Sequence, residues 1–342
     1  MSIKIKKNIP LSKYTTFKIG GPAKYFCLVK SNDEIEKALE FAEKNKLKIF
    51  VLGGGSNLLI SDRGFDGLVI KTQNTRYKIQ NSNIICDGGL SLMKLVSESV
   101  KSNLTGLEWA AGIPGTVGGA IANNTGANGK CMADVVRDIE ILDIGYWILG
   151  NPPNPLLQKG NKIIPSLSRR TREISGLEIR KLNNKECEFS YRDSVFKREK
   201  KYIILSAVLK LKKGNQEESK KTISEILKSR KEKQPLEYPS AGSIFKNPAV
   251  DDEHFKKLIK KYPELKNIVK DNIVPAGWLI EKAGLKGKKI GGAMVSEKHC
   301  NFIVNFNNAK AEDVVILISL IKQKIRTYLG IQLKEEIEYV GF

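Results

Sequence analysis

The chain has 342 residues, enough for two or three domains with full hydrophobic cores. Its 41% hydrophobic and 28% charged residues exclude a disordered or fibrous polymer. The net charge of +21 suits anionic small molecules, but acidic residues are interleaved throughout and no Lys/Arg run is laced with aromatics, so no nucleic-acid partner is expected. Five cysteines (Cys27, Cys86, Cys131, Cys187, Cys300) are scattered without CxxC spacing. That pattern points to a reducing cytosol, without a disulfide framework or a metal site. The start, MSIKIKKNIP, has no apolar signal core, and no apolar run approaches the roughly 20 residues of a membrane span. A cytoplasmic protein with no membrane contact is expected.

In chain order, Pro10–Ala23 (PLSKYTTFKIGGPA) reads as a short strand entering a turn. Ser31 caps a predicted helix with Asp33 and Glu34 in its first turn and Ile35, Ala38, Leu39 and Ala42 on one face. Lys48–Leu52 is a predicted strand feeding a first glycine loop, Gly53-Gly54-Gly55-Ser56-Asn57-Leu58. This loop lacks the third glycine of a Rossmann fingerprint, so that site is excluded. Gly67–Lys71 and Ile84–Asp87 read as strands and Ser91–Ser102 as a helix.

Gly106–Gly129 then carries seven of the 29 glycines, with Asn123 and Asn124 and almost no charge. Backbone amides bared in such a stretch suit a diphosphate. Two glycine clusters about sixty residues apart suggest two walls of one long phosphate-bearing cofactor. Ile139–Asp143 follows as a strand. Ile144–Gly176 breaks the pattern with four of the twelve prolines and a basic run at Arg169, Arg170 and Arg172; it reads as a surface insertion.

Leu177–Leu182 and Lys201–Leu211 resume as strands around Ser190-Tyr191-Arg192-Asp193-Ser194. Glu217–Lys233 is a charged helix and a candidate domain boundary. A helix around Pro275–Gly284, a strand at Phe302–Phe306 and a long helix Ala311–Leu329, stopped by Gly330, complete the chain. The mixture of strands and helices gives an α+β class.

Seven segments carry a resemblance when taken together: FKIGGPA, VLGGGSNLLISD, GLEWAAGIPGTVGGAIANNTGANG, YRDSVFK, YPSAGSIFKNP, AGWLIEKAGLKGKKIGGAMVSEKHCNFIVN and LKEEIEYVG. In this order they are similar to the UDP-N-acetylenolpyruvoylglucosamine reductases, flavin enzymes of bacterial peptidoglycan synthesis. The short distance from Arg192 to Ser243 resembles the second type of that family, which lacks an extra tyrosine-bearing loop.

The resemblance implies a three-part flavoprotein with a vanillyl-alcohol-oxidase/PCMH-like FAD-binding region. Its parts are 1–70 and 71–214 for FAD, 215–330 for substrate, and 331–342 as a strand returning to the active site. It implies a CH–CH oxidoreductase, a monomer, that uses NADPH and non-covalent FAD to reduce UDP-N-acetylglucosamine enolpyruvate. The cofactor contacts it implies are Gly20, Gly21, Gly53, Gly54, Gly55, Ser56, Asn57, Leu58, Gly112, Ile113, Pro114, Gly115, Val117, Gly118, Gly119, Ala120, Asn123 and Gly126.

Arg192, Ser243 and Glu336 are the implied catalytic residues, and Tyr191, Lys246 and Asn247 the implied substrate contacts. An arginine grips a carboxylate in two places and stays charged. Its plain alternative here is an ion pair with Asp193. Ser243 would give a proton to a strongly basic carbon held against it, where the alternative is an ordinary turn serine. Glu336 would need a raised pKa to donate to developing charge; without the resemblance it belongs to a solvated Glu335-Glu336-x-Glu338 run. Many family members carry arginine where Glu338 stands, and here a lysine elsewhere would supply that positive contact to substrate. His254 and His299 have no catalytic role in this reading. Two other readings share some features: another FAD-dependent oxidase or dehydrogenase of the same fold, and a basic nucleic-acid-binding protein.

Overall fold

The computed structural model describes residues 3–144, 172–174, 177–269 and 271–342. The stretch read as an insertion therefore falls mostly outside the described residues. Within it Arg172–Ile174 is a short strand paired with Leu177–Asn183. The chain divides into two compact units built from separated segments: Met1–Asn8, Lys24–Gly54 and Asp66–Leu227, then Ile9–Ala23, Gly55–Phe65 and Lys228–Phe342.

Among the described residues the first unit carries two large sheets and two two-stranded pairs, Gly126–Ala127 with Lys130–Cys131 and Leu104–Thr105 with Lys212–Lys213. Six antiparallel strands run in the order Arg172–Ile174, Leu177–Asn183, Val136–Asp143, Tyr202–Lys210, Asn83–Asp87, Tyr77–Gln80. Tyr202–Lys210 alternates strictly, and its buried side chains serve two cores. Ile203 and Leu205 pack with the helix Asn32–Lys44, whereas Ala207 and Leu209 pack around Leu92, Val96 and Ile121. A four-stranded sheet, in which Lys48–Leu52 runs parallel to Phe65–Thr72, lies under that same helix. Ser31 caps the helix as expected, its hydroxyl accepting from the Glu34 amide at 3.3 Å.

The second unit is an antiparallel sheet in the order Ser240–Ser243, Phe302–Asn305, Ala293–Val295, Lys289–Ile290. The helix Ala311–Leu329 buries Val314, Leu317, Ile318, Ile321 and Ile325 in the core beside it. Each such fully buried aliphatic contributes about 1.5–3 kcal/mol. Gly330 ends this helix in the left-handed conformation, φ 67°. The last strand, Glu338–Val340, lies parallel to Leu58–Ile60. Among the described residues no helix is long and apolar enough to cross a membrane.

Candidate active site

In the first unit the two glycine clusters meet. A Cβ added to Gly54 would stand 2.4 Å from the Gly115 Cα, and one on Gly53 would stand 2.7 Å from the Thr116 hydroxyl. Glycine is required because one backbone lies directly on the other. The second cluster is not all loop. Val117–Ala122 is a helix whose cap, Thr116, accepts from the Gly119 amide at 3.4 Å. Its first amides are otherwise engaged, Val117 donating to the Leu90 carbonyl and Gly118 to that of Gly88, both at 2.8 Å.

Among the described residues the amides of Gly54 and Gly115 have no acceptor. The stretches Gly53-Gly54 and GIPGTVGG of this unit contain no acidic side chain. These donors and this neutrality fit a pyrophosphate-bearing cofactor such as FAD. The Lys71 ammonium donates to the Gly53 carbonyl, and burial pushes its pKa down.

The same helix docks the turn that carries Tyr191 and Arg192. Ser190 and Asp193 exchange both backbone hydrogen bonds, at 3.1 and 3.2 Å, closing a two-residue turn. Four contacts fix it to residues 122–126. Arg192 Nη2 donates to the Gly126 carbonyl at 2.6 Å, Asn124 Nδ2 to the Ser190 carbonyl at 2.8 Å, Ser194 Oγ to the Ala122 carbonyl at 2.6 Å, and Lys197 Nζ to Asn123 Oδ1 at 3.0 Å.

Arg192 sits at φ 55°, a left-handed conformation that costs a non-glycine residue about 1–2 kcal/mol. Its guanidinium lies 5.3 Å from the ring centre of the half-exposed Tyr191. The simple ion pair with Asp193 does not form, because Asp193 is taken by Arg198, which also holds Glu188. Asn124, Ser194 and Lys197 escape a reading for chemistry because they act through backbone and long-range contacts.

Within the second unit, Ser243 and Glu336 lie on neighbouring paired segments. Ile244–Lys246 pairs antiparallel with 334–336: Phe245 lies opposite Glu335, the Glu336 amide donates to the Ile244 carbonyl at 2.7 Å, and the Lys246 amide to that of Lys334 at 2.9 Å. Glu336 thus stands across from the residue that follows Ser243. Asn57 grips this segment from the other side, its Nδ2 donating to the Glu336 carbonyl at 3.1 Å while its own carbonyl accepts from the Glu338 amide at 2.9 Å. Ser243 lies opposite Phe302 where the strand bulges, next to Gly242 at φ 78°. Ser243 is half-buried, and among the described residues its hydroxyl makes no hydrogen bond.

One buried residue unforeseen in the sequence locks this arrangement. Asn301 is 4% exposed, and its side-chain amide accepts from Phe245 N–H at 3.0 Å and donates to the Phe245 carbonyl at 2.9 Å. Its own carbonyl accepts from Ile244. A polar residue inside the apolar run Cys300–Val304 is the signal that could have revealed it. His299 Nδ1 accepts from the Asn301 amide at 3.2 Å, which leaves the ring proton on Nε2; burial pushes its pKa down.

Other expected contacts have local structural work. Asn247 Oδ1 accepts from the Ala276 amide at 2.9 Å and so caps the helix Ala276–Lys282. Gly20, Gly21 and Gly55 hold packed backbone: Ser12 donates to the Gly20 carbonyl, Leu11 to that of Gly21, and Thr16 to that of Gly55. Arg192 and Tyr191 belong to the first unit and Ser243 and Glu336 to the second.

Comparison with known proteins matches two regions of the chain. Residues 23–145 match an FAD binding domain, and residues 234–340 match the C-terminal domain of UDP-N-acetylenolpyruvoylglucosamine reductase. The chain is 39% identical over 339 residues to the UDP-N-acetylenolpyruvoylglucosamine reductase of Caldanaerobacter subterraneus subsp. tengcongensis, covering 99% of this chain and 94% of that one. It is 38% identical to the enzyme of the same name from Anoxybacillus flavithermus, covering 98% and 94%. The crystal structure of UDP-N-acetylenolpyruvylglucosamine reductase from Thermus caldophilus superposes with a TM-score of 0.70 over 99% of both chains at 29% identity.

Proposed function

The chain belongs to the UDP-N-acetylenolpyruvoylglucosamine reductase family, and from that premise we propose which residues perform the reduction. It is an FAD-dependent oxidoreductase, a UDP-N-acetylmuramate dehydrogenase of peptidoglycan precursor synthesis, that converts UDP-N-acetylglucosamine enolpyruvate with NADPH as reductant. When bound, FAD reduced by NADPH supplies a hydride to the enolpyruvyl double bond. The addition leaves negative charge on the substrate carboxylate and a basic carbon beside it. Arg192 stabilises that charge with a guanidinium that is already oriented by Gly126. Glu336, in its protonated form, donates a hydrogen bond to the same charge. Ser243 Oγ–H gives the proton to the carbon.

The observation that carries this reading is the pairing of 334–336 with Ile244–Lys246, which sets Glu336 across from Ser243's neighbour while Asn57 holds it. Substrate contacts fall to Tyr191, Lys246 and Asn247, and the division of labour follows the parts 1–70, 71–214, 215–330 and 331–342. The protein works as a cytoplasmic monomer, which size-exclusion chromatography checks. The decisive test is Ser243→Ala with both half-reactions followed by flavin absorbance. Reduction by NADPH should survive while reoxidation by the enolpyruvyl substrate collapses. Equal rates of reoxidation in variant and wild type would remove Ser243 from the mechanism.

A further inference from the structure

Arg230 stands in the last turn of the helix Gln216–Lys233. Arginines there usually bond the helix's own terminal carbonyls or a carboxylate. Here the Nε is buried with no hydrogen-bond partner among the described residues, and no ion pair or hydrogen bond engages the guanidinium elsewhere among them. The residue as a whole is only partly buried. Its stem and Nε are therefore withdrawn from water while the two terminal nitrogens stay reachable, so the fork faces outward from a dry socket.

Leaving a guanidinium part-desolvated and unpaired is costly, and it persists in folded proteins where an anion completes it. Burial also holds its pKa below the usual arginine value.

The socket belongs to the segment that presents Ser243. The Arg230 carbonyl accepts from the Gln234 amide at 2.8 Å, and the chain then runs directly to the strand Ser240–Ser243. Lys298 Nζ donates to the adjoining Lys231 carbonyl at 2.6 Å and lies 3.9 Å from Glu237, so it is committed to the helix end. Lys298 leads through His299 to Phe302, which pairs with Ser243.

We propose that Arg230 binds a phosphate group of a nucleotide in the catalytic cycle, either the diphosphate of the UDP-sugar or the 2′-phosphate of NADPH. This rests on the reading above that both nucleotides visit this protein. The guanidinium meets two phosphate oxygens at once, a geometry a lysine cannot supply.

The test compares wild-type, Arg230→Met and Arg230→Lys holoenzymes. Three readouts are taken: melting temperature without ligand, UDP affinity by calorimetry, and flavin reduction by NADPH and by NADH. An arginine waiting for an anion predicts that Arg230→Met melts no lower than wild type, since it removes an unpaired buried charge.

With that melting behaviour, UDP affinity falling about tenfold or more, with the NADPH/NADH preference unchanged, identifies the diphosphate. NADPH weakening by a similar factor, with NADH and UDP unchanged, identifies the 2′-phosphate. Arg230→Lys falls between wild type and Arg230→Met for whichever ligand is correct. A variant that binds UDP and NADPH as wild type does overturns the inference, and so does one that melts lower while both affinities persist. A wild-type protein that neither binds UDP nor is reduced by NADPH overturns the proposed function as well, which separates the two failures.

Discussion

Removing the Asn301 amide isolates the lock on the reacting segment. Phe245 is 1% exposed, and its N–H and carbonyl both depend on the Asn301 side chain, at 3.0 and 2.9 Å. Asn301→Ala strands both groups away from water. Each orphan costs about 1–3 kcal/mol, so the loss of stability should be about 2–6 kcal/mol. Asn301→Asp is the informative companion. It keeps an acceptor for the Phe245 N–H but sets an anion against the Phe245 carbonyl, and should recover little of the loss.

Because Phe245 pairs with Glu335 and Ile244 with Glu336, loosening this segment also displaces Glu336 relative to Ser243. Urea unfolding gives the stability change. Stopped-flow reoxidation by the enolpyruvyl substrate gives the functional loss, which should exceed any change in flavin reduction by NADPH. A stability change within about 0.5 kcal/mol, the scatter of ordinary surface substitutions, would refute this reasoning.

Arg192→Ala should slow reoxidation by about 10²–10³ while the FAD content is kept, as expected for loss of one charge-stabilising donor; stopped-flow and released-flavin assays measure the two. Gly54→Ala forces a Cβ to within 2.4 Å of the Gly115 backbone, so the purified variant should be colourless or unfolded by circular dichroism. Glu108 gives a pH prediction. Burial pushes its carboxyl up, but hydrogen bonds from Ser219, its own amide, Gly106 and Thr105 together outweigh this and hold it below 4.5. A depressed folded pKa stabilises the protein above the unfolded value and is lost as pH falls through the folded one. Wild type should therefore lose stability more steeply than Glu108→Gln below about pH 4, a difference that thermal melts across that range measure.

Much of the fold is legible in local chemistry. Ser31 and Gly330 mark helix ends, and the apolar stripe Val314, Val315, Leu317, Ile318, Ile321, Ile325 marks a buried face, of which Val315 is only partly buried. The helix Val117–Ala122 is not legible, because two glycines in six residues argue against it. Tertiary pairing of its amides with Gly88 and Leu90 overrides that propensity.

The site divides in the same way. Arg192 and Ser243 stand out as residue types, but Arg192 donates to Gly126, 66 positions away, and Asp193 is held by Arg198. Glu336 is one of three nearby glutamates, and its hydrogen bonds with Ile244 and Asn57 join it to residues far away in sequence. Asn301 and Asn124 hold backbone groups distant in sequence, a function that no spacing pattern announces.

The most direct measurement is an anaerobic titration of the purified protein in a spectrophotometer. The account predicts a yellow protein whose FAD is released on unfolding, whose flavin band bleaches with NADPH, and whose colour returns stoichiometrically on adding UDP-N-acetylglucosamine enolpyruvate. A colourless protein that refuses added FAD, or a reduced flavin that this substrate does not reoxidise, would contradict it.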